Sequence, residues 1–289
     1  MPETKINREL TALIKLLDEP DEKAFDFIRD KIFTFGKEAI HDLERAWENS
    51  FEEIVQDRIE HIIKKIQQDV LRDDFIDWVR LGSSDLLKGF ILVSKTQYPE
   101  LDTAKITQRF EQLKMDAWLE MNDNLTALEN IKVLNHIIYE VQQFDSNRIN
   151  LQSPENFYVN TFLDTRKGSP LTLGMFYIII AQKLNLPVYG VNLPQHFILA
   201  YTTERTIPYP NESNVLFYIN PFNRGAVFTR REIDLFIHQL KVKPEESFFS
   251  PCTNIDIIKR LIISLKTVLT NSGKPEKTEE LENLLNIIE

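Results

Sequence analysis

Residues 166–201 read RKGSPLTLGMFYIIIAQKLNLPVYGVNLPQHFILAY, and the fold is decided within them. Ser169 has the side chain of a helix N-cap, and Pro170 suits a first helical position, where the missing N–H has no partner to lose. Leu171, Leu173, Met175, Phe176, Tyr177, Ile178, Ile179 and Ile180 then make the segment apolar nearly all round. A helix without a wide polar face must be buried on several sides, so residues 170–184 are expected to form the central helix of a domain. After Pro187 the period changes. VYGVNL (188–193), HFILAYTT (196–203) and VLFYIN (215–220) are short, rich in β-branched and aromatic residues, and separated by turn formers. That pattern predicts an antiparallel sheet, to which residues 225–228 add a further strand.

Outward from this stretch the chain reads as helices. Leu10, Leu13, Ile14 and Leu17 share one helical face, as do Ala24, Phe25, Ile28 and Ile32, and residues 51–70 form a long amphipathic pattern. Brief polar turns between these helices resemble the joints of HEAT-type repeats, and a plain helical bundle fits equally well. Ser84 or Asp85, and then Asp102, are expected to cap the next helices, with a break at Tyr98-Pro99. Trp78, Phe90, Leu92 and Trp118 are expected in the core, and residues 127–141 are expected to be helical with His136 as an ordinary histidine. Ser153-Pro154 should open a short helix, and Thr229 should cap a helix over 230–240. Residues 255–270 and 275–288 read as a helical hairpin.

Composition excludes several classes. The net charge is −10, and residues 1–130 hold 18 Lys+Arg against 28 Asp+Glu while 131–289 hold 16 against 16, so all the excess is N-terminal. Clustered positive charge, on which nucleic-acid and anionic-membrane binding rest, is missing there. A solvated acidic face, or a docking surface for a basic protein, are the two readings of this charge. One cysteine, Cys252, excludes an internal disulfide framework and a cysteine-cluster metal site, and the five histidines have no paired spacing, so neither metal nor cofactor is expected. The N-terminus lacks the basic-then-apolar order of a signal peptide and no apolar run approaches membrane length, so a cytoplasmic location is expected.

Three motifs carry a resemblance. EN-x-x-x-N-x-x-L-x-x-R-K-G-x-P over 155–170, V-N-L-P-Q-H-F over 191–197 and N-P-F-N-R-G over 220–225 are similar to the bacterial SirB-type branch of the transglutaminase-like superfamily. Gln195 departs from the glycine usual before the histidine. The phrase IDIIKRLIISLKTVL (255–269) resembles the helix after the core, where a TPR-like tail often begins. The resemblance implies a papain-like arrangement in which a cysteine at the start of the central helix is activated by the helix dipole and a strand histidine, itself oriented by an aspartate on the next strand. On this chain the histidine position is matched by His196 and the aspartate by Asn220. Proline, Pro170, stands where the cysteine belongs.

A hydroxyl at Ser169, or less suitably Thr172, is the remaining nucleophile candidate in the core, and capping already accounts for Ser169. Cys252 follows the histidine, contrary to the family order, and reads as a structural thiol. Gly168, Pro170, Thr172, Tyr189, Asn192 and Gln195 could line the same cleft. Arg166 and Lys167 could hold an anion beside the helix start. The expected architecture is α+β: an acidic helical domain over 1–95, a transglutaminase-like core over 96–245 and a C-terminal hairpin over 246–289. The expected function is that of a catalytically degenerate protein that binds or scaffolds protein partners through its helical surfaces, with neither nucleic acid nor membrane as partner. The alternative is a hydrolase or acyltransferase using Ser169, His196 and Asn220.

Overall fold

Apolar residues at three- and four-residue spacing fold into α1 (Glu3–Ile14), α2 (Glu22–Phe33), α3 (Ile40–Asn49) and α4 (Glu53–Arg80) in a computed structural model of the protein that describes residues 3–203 and 214–289. The chain divides into two units, Met1–Asp77 and Trp78–Glu289. In the first, Leu10, Leu17, Phe25, Ile28, Ile32, Leu43, Ile59, Ile62 and Ile66 share one buried cluster, as the amphipathic stripes require. Asp21 caps α2 by accepting from Lys23 N at 3.1 Å.

Arg58 of α4 ties the α1–α2 connection down. Its Nη1 donates to Leu17 O and Glu19 O, both at 2.8 Å, and its guanidinium lies 3.9 Å from the centre of the Phe25 ring. These carbonyls sit just past α1, where no helical donor reaches them. Arg58→Ala is expected to lower stability by about 2–3 kcal/mol, read by urea unfolding, since charged donors to otherwise orphaned carbonyls are lost together. A change under about 0.5 kcal/mol would show that water replaces the guanidinium without cost.

The second unit begins with α5 (Leu86–Lys95), α6 (Thr103–Glu120) and α7 (Ala127–Asn135). Asp85 and Asp102 cap the first two, accepting from Lys88 N at 3.1 Å and Lys105 N at 2.9 Å. The helix expected over 127–141 changes its hydrogen-bond spacing partway: from His136 to Val141 it is a π-helical turn. A two-residue parallel pair, β1 (Asp145–Ser146) with β2 (Lys167–Gly168), brackets α8 (Val159–Thr165). Ser94 Oγ accepts from Val159 N at 2.9 Å, fastening α8 to α5. Trp78, Phe90 and Leu92 are buried, whereas Trp118, expected in the core, is 57% exposed. Its helix α6 buries the Ile106–Phe110–Leu113–Ala117 face instead, and Trp118 falls off that stripe.

The centre is α9 (Pro170–Lys183), in which Leu171 to Ala181 are all buried. Beside it runs an antiparallel meander, β3 (Val188–Leu193), β4 (His196–Thr202), β5 (Val215–Asn220) and β6 (Ala226–Phe228), in that spatial order. The sheet is covered on both faces. Gly174 of α9 packs on Phe197 and Leu199, while Ile198, Ala200 and Tyr218 face Ile233 and Ile237 of α10 (Arg230–Leu240). Then α11 (Asn254–Asn271) and α12 (Glu279–Ile288) form the expected C-terminal hairpin, burying Leu261, Leu265, Leu281 and Leu284. The outer edge of β3 is met by the segment before α11, where Cys252 N donates to Gly190 O at 2.8 Å. The protein is therefore α+β, with a helical N-terminal region, a central helix against an antiparallel sheet and a C-terminal helical hairpin. Among the described residues no helix is long and apolar enough to cross a membrane.

Candidate functional site

The start of α9 is built as a helix cap. Ser169 is buried, and its Oγ accepts from Thr172 N at 3.1 Å and lies 3.0 Å from Thr172 Oγ1. Thr172 Oγ1 in turn donates to Asn156 O at 2.6 Å. The chain of hydroxyls thus runs inward to the turn before α8 and is satisfied there. Gly168 is held against the Phe162 ring, which a Cβ at that position would meet at 2.7 Å. Pro170 occupies the first helical position with no ionisable atom. Ser169 is consequently spent on the cap, and Asn156 is the supporting residue whose role spacing alone did not assign.

His196 lies on the other side of the sheet from α9. Side chains of a strand alternate between faces, and Phe197 and Leu199 take the face against Gly174. His196 shares the opposite face with Ile198 and packs edge-on against Phe236 of α10, ring centres 4.7 Å apart. Among the described residues no hydrogen bond joins it to Ser169 or Asn220. Asn220 instead closes its own turn, its Oδ1 accepting from Phe222 N and Asn223 N, both at 3.1 Å. The proposed triad of Ser169, His196 and Asn220 is not brought together.

The cleft candidates divide in the same way. Tyr189 pairs with Ala200 and so belongs to the α10 face, whereas Asn192 pairs with Phe197 and faces α11. There Arg260 Nη1 donates to Asn192 Oδ1 and Leu193 O, each at 3.1 Å. Gln195 sits at the β3–β4 turn with φ of 61°, a left-handed conformation that explains why glycine would be at home there.

Partial desolvation of an imidazole that stays open to solvent, and then the positive charge of Arg260, hold His196 below the ordinary histidine value. The folded protein therefore favours the neutral ring: the associated stability is present above pH of about 6.5 and is lost as pH falls through the lowered folded value. An NMR titration of the His196 ring is expected to give a midpoint under about 6.5, moved part of the way back up by Arg260→Gln. A midpoint unmoved by that substitution would remove Arg260 as a cause. Burial pushes the Cys252 thiol up to about 12, so it is protonated and inert near neutrality. Among the described residues no group of three or more His, Cys, Asp or Glu side chains is placed to hold a metal ion.

One feature lies outside the expected cleft. Arg166 and Lys167 of the first motif and Arg224 of the third border a single cavity, together with Tyr139 and Asp145. Both motifs display their basic residues openly, but only the fold shows that they converge.

Comparison with known proteins places this geometry in a family. The description "transglutaminase-like superfamily" matches residues 104–263, more than half of the chain. A UPF0162 protein of Xylella fastidiosa (strain 9a5c) is 23% identical over 210 residues, covering 68% of this chain and 71% of that protein. A UPF0162 protein of Pasteurella multocida is 30% identical over 110 residues, 38% of this chain and 42% of that protein. F-box only protein 21 of Homo sapiens is 28% identical over 109 residues, 38% of this chain but 17% of that protein. The chain thus spans most of the first relative and under half of the other two. No solved structure matches. With a central helix on an antiparallel sheet and the family match running from α6 into α11, this chain belongs to the transglutaminase-like superfamily.

Proposed function

We propose that this chain is a SirB-type member of the superfamily in which the transglutaminase-like frame serves as a binding module for protein partners and performs no acyl transfer. The observation that carries the reading is the start of α9: proline stands in the nucleophile's place and the neighbouring hydroxyl of Ser169 is committed to Thr172. A covalent mechanism needs a nucleophile within reach of a base. Here the Ser169 hydroxyl is engaged by Thr172, whose own hydroxyl donates to Asn156 O, while the imidazole faces Phe236. The motifs over 155–170, 191–197 and 220–225 support the SirB-type assignment. Trp118, exposed beside Leu119 and Met115 on α6, gives the module an aromatic of the type that anchors interfaces.

The test is a screen of the full chain with amide, ester and peptide substrates alongside Ser169→Ala and His196→Ala. No turnover above buffer is expected in any of the three proteins. Ser169→Ala is expected to show its effect in stability instead, losing about 1–2 kcal/mol with the cap. Turnover in the parent that disappears in both variants would overturn the proposal in favour of the hydrolase or acyltransferase.

A further inference from the structure

Two separate parts of the second unit bring three positive side chains to a cavity of about 580 Å³, a volume typical of small-molecule sites. Arg166 ends α8, Lys167 belongs to β2, and Arg224 lies in the turn before β6. Buried Tyr139 and Phe144 supply its apolar floor. Each guanidinium is anchored by one main-chain carbonyl: Arg166 Nη1 donates to Gln142 O at 3.0 Å, and Arg224 Nη2 to Tyr139 O at 3.1 Å. Most of their donors are left over.

The acidic neighbours do not use these donors up. Asp145 lies 3.7 Å from Lys167 Nζ and 4.0 Å from Arg224 Nη1, beyond the distance of a charge-assisted hydrogen bond. Its Oδ1 is occupied by Ser146 N at 2.7 Å. Glu140 turns to His136 at 2.8 Å. Counting both lining carboxylates, Asp145 and Glu140, against Arg166, Lys167 and Arg224 leaves an excess of one positive charge facing the cavity.

The backbone around the cavity is also unusual. Gln143, Arg166 and Arg224 all adopt left-handed conformations, with φ of 58°, 56° and 50°. Each costs a non-glycine residue roughly 1 kcal/mol or more. The π-helical turn His136–Val141 runs along the same wall, and such turns recur at functional sites. Local strain of this kind persists where the surroundings enforce it, and here it sets two arginines on one opening.

We propose that this cavity binds a phosphate ester, with the phosphoryl oxygens on Arg166, Lys167 and Arg224 and the organic part against Phe144 and Tyr139. A phosphate offers three strong acceptor oxygens and a charge of about −1.5 to −2 to three cations, two consecutive in the chain and the third from the turn before β6. A carboxylate offers two oxygens and one charge. The site is independent of whether α9 supports catalysis.

Isothermal titration of the full chain with inorganic phosphate, and separately with acetate, tests the assignment. Saturable phosphate binding is expected, weakened about tenfold by Arg166→Gln or Arg224→Gln and several-fold by Lys167→Gln, with acetate at least about tenfold weaker than phosphate. Lys167→Gln removes no main-chain anchor, so it decides the matter if either arginine variant fails to fold by circular dichroism. Absence of binding up to about 10 mM phosphate, or phosphate binding unchanged in Lys167→Gln, overturns the site. Equal binding of acetate overturns the phosphate assignment.

Discussion

Phe197→Ala is expected to lower the unfolding free energy by about 3–5 kcal/mol, the largest single loss in the second unit. The Phe197 ring is 2% exposed and is held between two glycines. A Cβ built at Gly174 of α9 would lie 2.5 Å from the ring, and one at Gly190 of β3 would lie 2.6 Å from it. Both glycines are therefore shaped around the same side chain, and its removal leaves a hole that neither backbone can fill. The converse substitution, Gly174→Ala, forces a methyl group into the ring and is expected to cost about 1–3 kcal/mol by overpacking. Urea unfolding followed by tryptophan fluorescence reads both. A loss below about 1 kcal/mol for Phe197→Ala would mean that the sheet slides to close the gap, and that the ring does not set the helix-to-sheet distance.

Gly225→Ala is expected to cost about 3 kcal/mol or more, from two causes that act at one atom. Gly225 has φ of 71°, and a Cβ there would come 1.9 Å from Asn135 Oδ1. That oxygen accepts from the buried Tyr177 hydroxyl at 2.9 Å, while Asn135 Nδ2 donates to Gly225 O at 2.9 Å. Displacing Asn135 leaves the Tyr177 hydroxyl without a partner inside the core, where an unmade hydrogen bond is most costly. Thermal unfolding should fall by several degrees, and Asn135→Ala should reproduce much of the loss. If Asn135→Ala proved neutral while Gly225→Ala did not, backbone conformation alone would be responsible.

Local rules carried far in this chain. The all-round apolar run at 171–181, the change of period after Pro187, and the caps at Asp85, Asp102 and Ser169 follow from properties that neighbouring residues share, and each appears in the fold. Which face of β4 meets α9 does not follow from such properties. Alternation states that 196 and 197 point oppositely, but the choice between them is made by Gly174 and Gly190, residues that recede to admit a ring. The histidine motif matched in spacing and landed on the far face. Trp118 failed for a related reason, since one helical stripe can be buried while a large side chain just off it is left in water. The Arg166–Lys167–Arg224 convergence joins residues almost sixty positions apart, and no periodicity within either segment encodes it.

The covering of the sheet edges bears on how this protein could hold a partner. Peptide-binding sheets often work by adding the guest as one more strand, which needs an open row of main-chain donors and acceptors. Here the β3 side is taken by the Cys252 segment and the β6 side offers three residues, Ala226–Phe228. An extended ligand would find little backbone to pair with on either side. A partner or ligand of the kind proposed would thereby be recognised through side chains, on helix surfaces or in the Arg166–Arg224 cavity, and selectivity would come from charge and shape instead of strand addition.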